Sequence, residues 1–319
     1  MTRLRAGVVG VGYLGAFHAE KYAAADGVEL AAVVDADAAR AREVGERLGV
    51  PWFTEHAALA GLVDCASVAT PTAAHHAIAR DLLAGGIDVL VEKPLTSTVA
   101  QGRDLLEVAA RGGRVLQVGH LERFNPAMRA VADYIGAPRF IESQRLATFG
   151  PRGTDIDVIL DLMIHDLDLV LSMVGSPVRS VDAVGVPVLT AAIDIADVRL
   201  RFANGCVANV TASRVSPKRE RKLRIFQPDA YFSIDFDQRQ VRMARRHRTP
   251  TGGARVTLDE LVVDEGDALR AEIEAFVAAV RARDTPPVSG WDGLRALEIA
   301  EVIRQTVETE VRAAGVAPT

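Results

Sequence analysis

The run DVLVEKPL (88–95) carries three apolar residues into a Glu–Lys pair and then fixes the chain's exit with Pro94. A lysine placed at a cleft mouth can donate to an oxygen that gains negative charge, so Lys93 is a candidate for oxyanion stabilisation rather than a solvated strand end. A second candidate lies in DIDVILDLMIHDLDLVLSMVG (155–175), which is apolar almost all round. At about 100° per residue, Asp157, Asp161, His165 and Asp168 fall within about 80° of one another, and Asp155 and Asp166 project to the opposite side. Such a stripe on a buried helix is costly unless it is hydrogen-bonded or lines a cavity. A histidine one turn from a carboxylate is suited to general-base work, because its pKa lies near neutrality and the acid can orient it. The competing reading is a structural His–Asp pair.

A third set sits near the start. GVVGVGYLGAFH (7–18) holds G-x-G-x-x-G at Gly10, Gly12 and Gly15, after a strand-like run and opening a helix-like one. Gly10 permits a tight turn, Gly12 lets a pyrophosphate approach the backbone, and Gly15 lets helix and strand pack closely. The helix N-terminus, with Tyr13 and Leu14, offers free N–H groups to phosphates. Asp35 stands 20 residues after Gly15, at the end of the next strand. A carboxylate there suits ribose hydroxyls and repels the additional phosphate of NADP, so NAD is the expected cofactor. Arg40 is the residue that keeps NADP in consideration. Two further strand ends belong to the same sheet edge, where ligands bind in such folds: Thr70, Pro71 and Thr72 with His75 on the next helix, and Glu92 with Lys93.

The elements that must position these residues follow from periodicity. Strand-like runs at 6–11, 28–35, 65–70, 88–93 and 114–120 alternate with helical stretches at 13–25, 37–48, 73–84 and 97–111. Continuous apolar strands separated by helices mean a parallel sheet covered on both faces. After a helix near 126–136 and a longer one over 155–174, residues 178–247 partly alternate polar with apolar, which indicates antiparallel strands. Helices at 266–283 and 291–314 end the chain. The expected architecture is α/β: a doubly wound parallel sheet over 1–121, then a domain over 122–319 with an open, largely antiparallel sheet. The C-terminal helix is expected to pack back on the first domain.

Composition narrows the class. Hydrophobic residues at 49% and charged residues at 25% are those of a globular protein, and a net charge of −5 argues against nucleic-acid or anionic-membrane partners. No apolar run approaches the roughly 18 residues of a membrane span. The opening residues enter a strand directly and leave no room for a signal peptide, so a cytoplasmic protein is expected. Cys65 and Cys206, each in an expected strand, read as reduced core thiols rather than a disulfide or metal pair.

The glycine turn, ATPTAAH (69–75), VEKPL (91–95) and D-x-x-x-H-x-x-D at Asp161, His165 and Asp168 resemble the Gfo/Idh/MocA oxidoreductases, the family of glucose–fructose oxidoreductase and inositol dehydrogenase. The resemblance covers most of the chain. It implies Lys93 as the catalytic lysine of the E-K-P motif, with Asp161 and His165 completing the site. Met163 stands where many members have glycine, which implies a different pocket wall. VGHLERFNPAM (118–128) and TASRVSPKRERKLRIFQPDAYFSIDF (211–236) are similar to a narrower branch that oxidises the 3-hydroxyl of UDP-N-acetylglucosamine ahead of an aminotransferase in lipid A precursor synthesis. That likeness implies Arg123, Asn125 and Arg214 as substrate contacts beside Lys93, Asp161 and His165.

Arg214, Lys218, Arg219, Arg221, Lys222 and Arg224 concentrate positive charge in an acidic chain. Arginine suits a sugar-nucleotide diphosphate; a solvated strand face or subunit contact is the equal alternative. RMARRHR (242–248) reads as surface or subunit contact. The expectation is an NAD-dependent dehydrogenase of a sugar ring hydroxyl, with a homodimer or homotetramer as its assembly. His165 would take the proton while Lys93 stabilises the oxygen, with Asp161 orienting either; the family also admits the reverse assignment. The alternatives are an inositol or free-sugar dehydrogenase and, from another class, a non-catalytic NAD-binding regulator.

Overall fold

The apolar runs of the first third become strands with both faces covered. In the computed structural model, which describes residues 3–150, 156–249, 252–263 and 265–313, six parallel strands form one sheet. They are β1 (Leu4–Val9), β2 (Val28–Val34), β3 (Trp52–Phe53), β4 (Cys65–Val68), β5 (Asp88–Glu92) and β6 (Leu116–Gly119), in the order β3-β2-β1-β4-β5-β6. Every residue of β4, β5 and β6 is buried. The crossovers are α1 (Tyr13–Ala24), α2 (Ala38–Leu48), α3 (Thr72–Ala84) and α4 (Val99–Gly112). The strand order reverses between β1 and β4, and the crevice outside the carboxyl ends of such strands is where this fold binds ligands. The two-residue β3 is an edge strand too short for its own periodic signal.

The chain separates into two compact units. One contains the residues up to Leu121 together with Asp267–Leu297; the other contains Glu122–Gly266 and the chain from Glu298 on. The first unit thus takes in a segment, Asp267–Leu297, far along the chain. Leu269, Ile273, Phe276, Val277 and Val280 on α7 (Ala268–Ala282) share one core with Val8, Tyr22, Val33 and Leu90. Their spacing makes one apolar helix face, which the first unit buries. The last helix, α8 (Gly290–Ala313), spans the second division.

The second unit is built on an eight-stranded sheet, order β14-β13-β12-β11-β7-β10-β9-β8. Its strands are β7 (Phe140–Leu146), β8 (Val178–Val186), β9 (Ile195–Phe202), β10 (Val207–Ser213), β11 (Glu220–Gln227), β12 (Ala230–Asp235), β13 (Gln240–Arg248) and β14 (Ala254–Val262). All neighbours are antiparallel except β7 and β10. The sheet is therefore mixed, and largely antiparallel as expected. Ile141, Ser143 and Arg145 of β7 are buried on one face, while Phe140, Glu142 and Gln144 point to the opposite, more open face.

The helix expected near 126–136 is two pieces, α5 (Pro126–Arg129) and a 3-10 turn at Ala132–Tyr134. The helix expected over 155–174 is also divided: a π-helical turn, Ile159–Met163, precedes α6 (Ile164–Val174). Asp155 lies outside the described residues. Cys206 sits one residue before β10 rather than within a strand; both cysteines are buried free thiols. Among the described residues no helix is long and apolar enough to cross a membrane.

Candidate active site

Each glycine of the first turn meets a different steric demand. Gly10 has φ +84°, a left-handed conformation, and a Cβ there would stand 2.7 Å from the Ala69 carbonyl oxygen. At Gly15 a Cβ would meet the Gly10 oxygen at 1.7 Å, so helix and turn can approach only without a side chain. Gly12 has nothing within 4 Å and leaves its side open. It caps α1, whose first turn carries no acid to repel an anion. Tyr13 is exposed and edge-stacked on Phe17; Leu14 is half-buried.

Asp35 is buried and braces the turn. Its Oδ2 accepts the Val11 N–H at 2.9 Å and its Oδ1 accepts the Asp37 N–H at 2.9 Å. Arg40 pairs with Asp35 at 3.3 Å and with Asp37 at 3.5 Å. Asp35 and Arg40, with Gly10, Gly12, His56, Thr70 and Pro71, line a cavity of about 540 Å³ in the first unit. Thr70 Oγ1 is buried without a hydrogen-bond partner among the described residues. An open glycine, an acid-free helix start and an orphaned hydroxyl around one cavity fit the adenosine half of a dinucleotide.

The ends of β4 and β5 are tied together by His75. Its Nε2 faces the Thr70 carbonyl at 2.8 Å and its Nδ1 faces the Pro94 carbonyl at 2.9 Å. Burial pushes its pKa down while the two carbonyls push it up, so the ring pins the two loops by donating to one carbonyl when neutral and to both when protonated. Both nitrogens are engaged with backbone, so the imidazole itself is not offered to a ligand. Thr72 opens α3 behind Pro71. Lys93 follows β5 directly and is half-buried; its N–H donates to Glu92 Oε2 at 3.3 Å.

In the second unit, the aspartates at the two ends of the stripe are neutralised. Asp157 Oδ2 accepts from Arg304 Nε at 2.7 Å, and its Oδ1 caps the Ile159 and Leu160 N–H groups. Asp168, fully buried, takes a bidentate pair from Arg123 at 2.7 and 2.8 Å. Asp161, within the π-helical turn, and His165, one residue into α6, remain half-buried between them. A π-helical turn inside a helix often marks a functional site, and here it carries Asp161. Asn125 caps α5 and donates to Glu122 Oε2 at 3.1 Å.

Residues 4–120 match the family model for oxidoreductases with an NAD-binding Rossmann fold, and residues 130–233 match the model for the GFO/IDH/MocA C-terminal domain. The chain belongs to the Gfo/Idh/MocA oxidoreductase family. It is 42% identical over 310 residues to the UDP-N-acetylglucosamine 3-dehydrogenase of Acidithiobacillus ferrooxidans, covering 97% of this chain and 98% of that protein. A crystal form of that enzyme superimposes with a TM-score of 0.91 at 41% identity, covering 97% of this chain and 99% of the other. The scyllo-inositol 2-dehydrogenase (NAD(+)) of Bacillus subtilis is 29% identical over 234 residues, 67% of this chain and 68% of its own.

Within this Gfo/Idh/MocA chain the basic stretch is mostly spent on ion pairs. Lys218 and Lys222 pair with Glu220, Arg219 with Asp237, and Arg224 with Glu142. Arg214 is only 6% exposed and is held by the Ile156 carbonyl and Asp194, a brace rather than a surface cation. Arg221 lies opposite Arg145 across the strands, so it shares the face of β7 that meets α6. It too has an acid partner, Glu122 Oε1 at 3.7 Å, and its side chain is 36% exposed. The 242–248 run lies on β13, with Arg242 and Arg245 paired to β14 acids and Arg246 to Asp229.

Several residues that position the site carry no local sequence signal. Arg145 is fully buried, donating to Asp166 at 2.6 Å and to Glu122 at 2.9 Å, while Ser143 Oγ donates to Asp166 at 2.7 Å. Burial opposes the charge on Glu122, but Arg145 overrides it and holds the carboxyl below its ordinary value. This network seats α6, and hence His165, on β7. The helical period does place Asp166 opposite the stripe. Its partners lie more than 20 residues away, beyond any periodic reading.

Proposed function

We propose that this chain is an NAD-dependent dehydrogenase that oxidises the 3-hydroxyl of UDP-N-acetylglucosamine. The observation that supports this substrate is the end-to-end identity of 42% with a relative of that activity, extending through both units. NAD is favoured over NADP because Asp35 presents a buried carboxylate at the ribose position, and Arg40 is paired with Asp35 and Asp37. Gly10, Gly12, Gly15, Asp35 and Thr70 would hold the dinucleotide, which when bound supplies the hydride acceptor.

His165 takes the proton of the substrate hydroxyl, and Asp161 orients the ring. Lys93 donates to the same oxygen, an interaction that strengthens as negative charge builds in the transition state. Arg221, on the α6-facing side of the sheet and half-exposed, is the residue of the basic stretch best suited to a diphosphate oxygen.

The test is NADH formation with UDP-N-acetylglucosamine, free N-acetylglucosamine, myo-inositol and scyllo-inositol, run with Lys93→Met and His165→Gln. Each variant should lose roughly 10²–10⁴ in single-turnover rate, the range for one positioned catalytic group. NAD affinity, read by fluorescence titration, should change little. Turnover of an inositol in preference to the UDP-sugar would replace the substrate. Lys93→Met within threefold of the parent would remove the catalytic role.

A further inference from the structure

The first unit buries a group of ionisable side chains that the chemistry above does not use. His18 on α1, Glu92 at the end of β5 and Glu272 on α7 bring one nitrogen or oxygen each to a common spot, all within 4.8 Å of one another. Glu92 is the member whose charge is met. Its Oε1 faces His18 Nε2 at 3.0 Å, and its Oε2 accepts the Lys93 N–H at 3.3 Å. His18 Nδ1 is held by Ser67 Oγ at 3.1 Å, and Ser67 Oγ by the Tyr22 hydroxyl at 2.9 Å. Gly119 leaves room for the carboxylate: a Cβ there would stand 2.7 Å from Glu92 Oε1.

Glu272 has no such support. It is fully buried, and neither carboxyl oxygen has a hydrogen-bond partner among the described residues. Only its peptide carbonyl is engaged, accepting from Gln117 Nε2 on β6 at 3.1 Å. An ionised carboxylate buried without a partner, beside a second carboxylate, is a very costly arrangement.

We infer that Glu272 is a positioning residue for Lys93: it carries a proton in the working enzyme and packs as a neutral acid against ionised Glu92, keeping that carboxylate on His18 and on the Lys93 backbone. The role rests on the proposed function of Lys93. Burial, and then the Glu92 charge, push the Glu272 carboxyl well above its ordinary value. The titratable groups facing it are Glu92 from β5 and His18 and Tyr22 from α1; β6 contributes only the uncharged Gln117. Loss of the proton at alkaline pH places a second negative charge beside Glu92, drives that carboxylate from its seat and disturbs the backbone at Lys93.

The full-length enzyme, Glu272→Gln and Glu272→Ala are compared, with Lys93→Met in the same assay. Glu272→Ala should lower kcat roughly ten- to a hundredfold while KM holds, the scale of a small misplacement of a catalytic group. Glu272→Gln, which fixes the neutral form, should restore most of that loss. It should also move the alkaline limb of the kcat profile upward by about one pH unit or more and flatten the fall of Tm toward alkaline pH. An infrared difference spectrum, parent minus Glu272→Gln at neutral pH, should show a protonated-carboxyl C=O stretch. Superimposable pH profiles for the parent and Glu272→Gln, or no such stretch, overturn the inference. So does a stoichiometric divalent metal in the purified parent that Glu272→Gln loses, since a cation would then balance the two carboxylates. Lys93→Met turning over within threefold of the parent overturns the functional reading and the positioning role with it. Superimposable profiles beside a dead Lys93→Met overturn the Glu272 inference alone.

Discussion

Arg145→Met should be the most damaging single change to the second unit outside its apolar core. Methionine keeps much of the aliphatic stem but removes three charge-assisted contacts: Nε to Asp166 at 2.6 Å, Nη1 to Glu122 at 2.9 Å and Nη2 to Asp166 at 3.4 Å. It leaves two carboxylates in the interior, 2% and 8% exposed. Removing one partner of a buried pair costs about 3–5 kcal/mol, because the remaining charge is stranded. For a unit of this size that is a drop in Tm of roughly 6–20 °C. The pH response should invert. In the parent, Glu122 has a depressed pKa, so its contribution is present above the unfolded value near pH 4.3 and is lost as pH falls through the folded value. In the variant only Arg221 and the Asn125 amide still oppose burial at Glu122, so the penalty is largest at neutral pH and shrinks on acidification. The assay is urea unfolding followed by circular dichroism between pH 4.5 and 8. The triple variant Arg145→Met, Glu122→Gln, Asp166→Asn should recover most of the loss. A cost under about 1 kcal/mol, the value of an exposed pair, or an unchanged pH slope would refute the buried-network account.

Asp35→Ser should lower the ratio of kcat/KM for NAD to that for NADP by about tenfold or more, equivalent to 1.4 kcal/mol; an unchanged ratio would show that Asp35 only braces the Val11 turn. Gly12→Ala, where a Cβ meets nothing, should keep the parent Tm and lose NAD affinity, whereas Gly15→Ala, where it meets the Gly10 oxygen at 1.7 Å, should lose Tm as well. Calorimetry and NAD titration separate the two outcomes, and equal behaviour would contradict the division of roles. Arg221→Ala should raise KM for the UDP-sugar at a cost of about 1–3 kcal/mol, that of a lost charged hydrogen bond, with a smaller fall in Tm than Arg145→Met because Glu122 keeps Arg145. Arg214→Ala should instead be seen in Tm, since its guanidinium braces Ile156 and Asp194.

The doubly wound sheet was legible in the chain because its determinants are local. Buried parallel strands must be apolar without a break, and the glycine turn requires its residue types at fixed spacing whatever lies elsewhere. Asp35 and Lys93 were legible for the same reason, since each sits where a strand must end. The helical period also placed Asp166 away from the Asp161–His165 stripe. Its failures are instructive in kind. The 155–174 pattern has one apolar periodicity, yet the backbone takes a π-helical turn at Ile159–Met163, and no propensity marks it. β7 and β14 went unread because one runs through a buried ionic network and the other is an exposed edge. The basic stretch looked like one cationic surface. Strand alternation sends Arg221 to one face and Lys222 and Arg224 to the other, and acids on β11 itself and on neighbouring strands neutralise most of it. Glu272 shows the limit most plainly. It lies 180 residues after Glu92 in a helix whose visible feature is its apolar face. Only the return of that helix to the first unit decides that its carboxyl is buried beside another, because the electrostatic cost of a side chain depends on what surrounds it in space and not on its neighbours along the chain.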